Sequence, residues 1–267
     1  MDYLNAIIFG IVQGITEFIP ISSSGHLFLM HEILDLPIVD NLTFDVTLHL
    51  ASLFAVIIFF KQEIWQLARS FFSLLKGNRD RYSGLVILII IGTLPAAAIG
   101  YLFEDVIEET FRSIYVVVTM LIVVAMLFFD SEKDGKKKYD MNNLNWKNAL
   151  FIGFSQAIAL IPGTSRSGIT MVAGLYCGLK RSEAVKFSFL LSIPIILGAS
   201  LFKIKDINFA SLVKQEIIIL LLASIFSFLS AFLAIKYFLN FVEKYSLKSF
   251  AIYRIVLGII ILLFLVF

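Results

Sequence analysis

The sequence predicts an all-α integral membrane protein, built as an inverted-topology repeat with six transmembrane helices plus two re-entrant helix hairpins. Three observations carry that prediction. Apolar residues make up 59% of the 267 and charged residues 16%, with a mean hydropathy of +0.92, against roughly half and a quarter in a soluble domain. Six apolar runs approach the roughly 20 residues that a helix needs to cross a hydrocarbon core. Finally, a polar stretch recurs: moved along by 143 positions, Gly10, Gln13, Ser22, Ser24 and Gly25 fall on Gly153, Gln156, Ser165, Ser167 and Gly168.

The first segment, 3–34, has apolar flanks interrupted by Pro20 and the Ser22 to Gly25 run, and is expected to enter the membrane and turn back. Spans follow near 43–60, 84–103 and 114–129, the third so short that it should stand nearly upright. Residues 131–147, rich in charge, are read as a solvated cytoplasmic linker between a first repeat, 1–130, and a second, 148–267. The second repeat keeps the same order, with a broken segment at 148–180 and spans near 185–202, 216–235 and 250–267. Pro95 and Pro194 fall inside spans, where neighbouring groups must satisfy the carbonyls they free.

Lysine and arginine gather on the cytoplasmic side of a membrane protein, so their distribution tests the topology. If both broken segments turn back, sixteen of the 22 lie on one side and only Arg112, Lys203, Lys205 and Lys214 on the other, with Arg166 and Arg254 inside apolar segments. A single crossing by the second segment would reduce the split to thirteen against seven. Re-entry is therefore the better reading of that segment, whereas the first rests on the repeat. Three spans per half is an odd number, so the halves are inverted and the two broken helices approach the midplane from opposite sides. Both termini should face out.

Composition also excludes several classes. Cys177 is the only cysteine, which rules out an internal disulfide and a cysteine-based metal site. No basic stripe interleaved with aromatics suggests nucleic acid. Met1-Asp-Tyr-Leu lacks the positive region of a leader peptide, so none is expected to be removed.

Chemistry concentrates in the two broken segments, where ionisable groups at membrane depth point to function. Gln13 and Glu17 are one helical turn apart and share a face. Ser22, Ser23 and Ser24 follow Pro20 and read as caps of a short helix, with His26 in its first turn. A hydroxyl beside an imidazole and a carboxylate has the parts of an activated nucleophile. Arg166 adds a forked cation matched to phosphate, flanked by Ser165, Ser167 and Thr170. Together the segments describe a phosphoryl-transfer site that neither half could form alone.

Gln13-Gly-Ile-Thr-Glu17, Ser22-Ser-Ser-Gly25-His26 and Pro162-Gly-Thr-Ser-Arg166-Ser-Gly-Ile-Thr170 resemble the motifs of the undecaprenyl-diphosphatase family, the bacitracin-resistance type of bacterial integral membrane lipid diphosphatase. Phe44 to His49 and Tyr253-Arg254 extend the likeness over nearly the whole chain. The resemblance implies hydrolysis of undecaprenyl diphosphate to undecaprenyl phosphate and inorganic phosphate, which recycles the carrier lipid for peptidoglycan synthesis and confers bacitracin resistance. It implies a catalytic set of Glu17, Ser23, His26 and Arg166, with Ser23 as nucleophile, His26 as acid/base and Arg166 clamping the phosphates. Gln13, Ser22, Ser24, Ser165, Ser167 and Thr170 would bind substrate. Glu17 would orient His26 or, with Gln13, hold a divalent cation, Mg2+ or Ca2+; Gln13 stands at a position where a second carboxylate is the family's other option. The expected partners are a polyprenyl diphosphate lipid and the bilayer of the bacterial cytoplasmic membrane, with the site opening to the outer face; a homodimer is left open.

Plainer readings stand beside these. Serine and glycine runs in membrane helices often serve close packing. Arg166 could be a counter-ion to Glu17. His49 could line the pocket or satisfy nearby backbone, His31 reads as a bystander, Asp45 as a group at the site mouth or a cap, and Arg254 as a side chain reaching toward the headgroups. A secondary transporter or lipid flippase shares the inverted-repeat architecture. Lipid phosphatases of the acid-phosphatase type need a histidine after the Ser-Arg pair, and none follows Arg166.

Overall fold

The computed structural model describes residues 2–34, 40–111, 113–133, 138–207 and 212–266. Part of the expected linker, 134–137, and Arg112 of the sparse basic side lie outside them. The described elements are α1 (Asp2–Phe18), α2 (Ser23–Ile33), α3 (Asn41–Phe59), α4 (Lys61–Leu75), α5 (Ser83–Phe111), α6 (Ile114–Ser131), α7 (Trp146–Ile158), α8 (Arg166–Tyr176), α9 (Arg181–Ile204), α10 (Lys214–Lys244) and α11 (Lys248–Val266), with one 3-10 turn at Met141–Asn143. The protein is an all-helical, multi-pass membrane protein. Among the described residues five helices, α3, the Ser83–Ile107 part of α5, α6, α9 and α10, are long and apolar enough to cross a membrane. The sixth expected span forms the 19-residue α11.

Both broken segments fold as antiparallel helix hairpins. Ser23, at the start of α2, touches Glu17 at the end of α1, while the Phe9 and His31 rings meet farther back with centroids 4.9 Å apart. The α7–α8 pair is tied at its far end to the linker. The Tyr139 amide donates to Gly178 O at 3.1 Å and the Lys180 amide to Tyr139 O at 3.0 Å, and a side-chain hydrogen bond joins Cys177 to Asn148.

The hairpins pack mainly against the opposite half of the chain: α1 runs along α10, and α7 along α5. Small residues allow this. A Cβ on Gly10 would collide with the carbonyl of Ala223, and one on Gly14 with the carbonyl of Ser227 and the hydroxyl of Ser230. Lipid tails are as apolar as leucine, so such close backbone approach, rather than exclusion of water, supplies much of the association energy. Gly153 makes the corresponding approach to Gly92 and Pro95 on α5.

Two elements depart from the sequence expectation. Helix α4 lies between the predicted spans 43–60 and 84–103, where the sequence predicted no element. It is an amphipathic helix whose Ser70 is buried and accepted by Asp80 at 2.6 Å, while Trp65, Phe72 and Leu75 are exposed. Its apolar residues fall on one side, which suits a helix lying in an interface. Helix α5 runs past the predicted 103 to Phe111, with a break in helical geometry at Phe103 (φ −126°, ψ 19°). The apolar run ends near there, but nothing in the following charged residues stops a helix.

Ion pairs tie helix ends together. Glu132 after α6 accepts from Arg181 Nη2 of α9 at 2.6 Å and from the Leu247 amide before α11 at 3.1 Å. Glu104 of α5 pairs with Lys203 of α9.

Candidate active site

The site forms where the two hairpin tips meet, and the tips share one local geometry. Ser22 and Ser165 both have positive φ, 76° and 70°, a strained region for a residue with a Cβ. Each caps the helix that follows: Gly25 N donates to Ser22 Oγ at 3.2 Å, and Gly168 N to Ser165 Oγ at 3.1 Å. Each hydroxyl also meets the next serine but one, Ser24 at 3.3 Å and Ser167 at 3.2 Å. Four of the expected substrate-binding residues therefore build the two turns. Thr170 is occupied as well, bonding Arg166 O at 2.8 Å and Ser188 Oγ at 2.7 Å.

Glu17 is the hub between the tips. Its Oε1 accepts from Arg166 Nη2 at 2.9 Å, and its Oε2 from Ser23 Oγ at 2.8 Å and Gln13 Nε2 at 3.0 Å. His49 Nδ1 lies 3.1 Å from the same Oε2 and 2.9 Å from Gln13 Nε2. Burying a carboxylate is costly unless it is paired and hydrogen-bonded; Glu17 is both, with its side chain 5% exposed. Arg166 also donates through Nη1 to Ser188 O at 3.3 Å and sits over the Phe18 ring. Fork and ring fix its orientation.

His26 is placed differently from the expectation that Glu17 orients it. Its Nδ1 lies 2.7 Å from Ser22 O and its Nε2 2.8 Å from the Tyr253 hydroxyl, with the two rings stacked at 8°. A carbonyl can only accept, so Nδ1 carries the proton and Nε2 presents its lone pair to the phenol. The imidazole in contact with Glu17 is His49.

Arg254 corrects the sequence reading. Its side chain does not reach outward: the residue is fully buried and donates to Leu121 O, Met120 O, Pro20 O, Gly163 O and Thr164 O at 2.9 to 3.4 Å. It thereby ties both hairpin tips to α6. An arginine within an apolar run was the signal available in the sequence. His31 Nε2 pairs with Asp45 Oδ1 at 3.0 Å. Tyr253 stood out only through the family likeness of Tyr253-Arg254, and Ser188 carried no signal of its own.

Among the described residues no three His, Cys, Asp or Glu side chains cluster to hold a metal. The site nevertheless fits a hard cation held partly by substrate. Glu17 supplies a carboxylate, and Gln13 Oε1 is buried with no hydrogen-bond partner. One or two protein oxygens plus substrate phosphates is the usual way Mg2+ is bound.

Fold and site define a multi-pass helical membrane protein with a buried carboxylate, guanidinium and hydroxyl assembled between two broken-helix tips. The chain belongs to the family described as bacitracin resistance protein BacA, whose model matches residues 6–260. It is similar to an undecaprenyl-diphosphatase of Elusimicrobium minutum, 44% identical over 263 residues and 98% of each chain. It is also similar to proteins of the same name from Alteromonas mediterranea, 43% identical over 265 residues and 99% of each chain, and from Rubrobacter xylanophilus, 41% identical over 266 residues, 98% of this chain and 97% of the other.

Proposed function

We propose that the protein is an undecaprenyl-diphosphatase, hydrolysing undecaprenyl diphosphate to undecaprenyl phosphate and inorganic phosphate. The observation that carries this is the unbroken line Ser23–Glu17–Arg166, which joins a nucleophile, a base and a phosphate-binding cation across the hairpin tips.

In this reading Ser23 Oγ attacks the terminal phosphorus while its proton passes to Glu17 Oε2, the group it already donates to. The bond from that phosphorus to the bridging oxygen breaks, and undecaprenyl phosphate leaves. Arg166 exchanges Glu17 for the terminal phosphate and neutralises the charge that builds on its oxygens. Water then attacks the phosphoserine, giving its proton to the site, and inorganic phosphate departs as Ser23 regains its hydrogen. His26, with Nε2 unprotonated, is positioned by Tyr253 to accept that proton. A divalent cation on Glu17 and Gln13 would offset phosphate charge when bound.

We further infer two inverted repeats with re-entrant hairpins, six spans and a site opening to the outer face of the bacterial cytoplasmic membrane. The matching strained caps at Ser22 and Ser165 support the repeat. The Glu132–Arg181 and Glu104–Lys203 pairs support the order of the spans, because each joins helix ends that this topology puts on one face.

Purified protein in detergent should release inorganic phosphate from a polyprenyl diphosphate; no release with Mg2+ or Ca2+ present overturns the reading. For sidedness, cysteines at Lys180 and Asp206 in a Cys177→Ser background should label from opposite faces of intact cells, and labelling from one face rejects it.

A further inference from the structure

Three atoms at the hub form a nearly equilateral triangle. Gln13 Nε2 is 3.0 Å from Glu17 Oε2 and 2.9 Å from His49 Nδ1, and those two are 3.1 Å apart. No arrangement of hydrogens satisfies all three contacts. With the amide nitrogen inward, its two hydrogens serve Glu17 and His49, but the carboxylate oxygen and the ring lone pair then face each other. Gln13 Oε1 is left buried and unpartnered. A half-turn of the amide, which exchanges atoms of equal size, puts Oε1 inward; a proton on His49 Nδ1 can then serve both oxygens, but the two oxygens face each other. With Nδ1 protonated and the amide nitrogen inward, both nitrogens donate to Glu17 Oε2 and their N–H groups crowd each other at 2.9 Å, so in every case one pair of like groups is opposed.

A cation seated above the triangle relieves all three contacts. Neighbouring ligands of an octahedral ion held at about 2.1 Å stand about 3.0 Å apart, which is the edge of this triangle. We propose that His49 Nδ1 completes, with Glu17 Oε2 and the turned Gln13 Oε1, a three-ligand face for one divalent cation. Three positions opposite that face remain for water and the substrate's phosphate oxygens. Before substrate enters, Arg166 keeps Glu17 Oε1 and Ser23 keeps a lone pair of Oε2, so the ion is then bound through one carboxylate oxygen only. An imidazole among the ligands moves preference from Ca2+ toward first-row transition ions, and Mn2+, which also takes carboxylate, carbonyl and water oxygens, serves as their paramagnetic probe. The proposal deepens the phosphatase reading and rests on it for the role of the ion, though not for its binding.

The test is Mn2+ binding to the full chain in detergent without substrate, read by pulsed electron paramagnetic resonance for directly bound nitrogen. The wild type should show imidazole nitrogen coupling, and Ca2+ should displace the ion only in excess. His49→Gln should lose the coupling and weaken Mn2+ binding about tenfold or more, while His26→Gln keeps both. Gln13→Leu should weaken binding but retain the coupling at saturation, which guards against a variant that has merely lost its fold. Coupling that survives His49→Gln, or no Mn2+ bound by the wild type at millimolar concentration, overturns the proposal. Phosphate release measured on the same samples separates the two readings: release without nitrogen coupling rejects this site alone, and coupling without release rejects the phosphatase assignment alone.

Discussion

Glu17 Oε1 accepts a 2.9 Å hydrogen bond from Arg166 Nη2 across 149 positions of sequence. Each group alone would be an uncompensated charge in a low-dielectric interior, and the pair is what allows both to be buried. A diphosphate entering the site competes with Glu17 for the same guanidinium, which would release the carboxylate to act on Ser23.

Arg166→Lys keeps the charge but loses the fork that addresses two oxygens at once. Turnover should fall about 100- to 1,000-fold while thermal unfolding in detergent changes little. Near-normal phosphate release would show that charge alone suffices.

Ser23→Ala removes the nucleophile without adding bulk. Stopping the wild type with acid during turnover of a substrate labelled in its terminal phosphate should trap labelled protein, and Ser23→Ala should trap none. Acid-stable label that persists in the variant would transfer the nucleophile's role to another hydroxyl, and label that survives only an alkaline quench would transfer it to His26.

Tyr253→Phe preserves the ring stacked on His26 and deletes only the hydroxyl. A hydrogen bond of this kind contributes about 0.5 to 1.5 kcal/mol, so turnover should change about two- to tenfold, whereas His26→Ala should abolish it. Equal effects of the two changes would mean that His26 acts only through Tyr253.

Arg254→Met would leave five carbonyls of α6 and both hairpin tips without their donor. Leaving a buried carbonyl unsatisfied costs about 1 to 3 kcal/mol, read as a fall in the unfolding midpoint. Wild-type stability would show that water or neighbouring groups replace the guanidinium.

Asp80, in the exposed turn between α4 and α5, has its carboxyl held below the usual range, chiefly by the Ser70 hydroxyl and also by the Tyr82 and Ser83 amides. A depressed folded value means that the stabilisation is present above the ordinary carboxylate pKa, about 3.9, and disappears as pH falls through the lower folded value. Amide exchange in α4 should therefore accelerate only in acid, and Asp80→Asn should remove that dependence.

Much of the architecture was legible because apolar run length and membrane thickness are directly linked: α3, α6 and α9 start and stop within a few residues of their predicted bounds. Helix α4 was not, since its 15 residues alternate apolar and polar side chains and never form a continuous run. The bend at Phe103 was hidden for a related reason, as hydropathy reports where lipid ends and says little about backbone direction.

The sequence alone determined the membrane class, the two broken segments, and the hydroxyl, carboxylate, imidazole and guanidinium they carry, because polar groups amid hydrocarbon stand out by their cost. Only the tertiary structure decided their pairing. It gave Glu17 to His49 and Arg166, left His26 to Tyr253, and turned Arg254 inward to fasten both tips. Helices far apart in sequence meet there through close packing at Gly10, Gly14 and Gly153, and that fit depends on side-chain shape across the whole bundle, which no local pattern records.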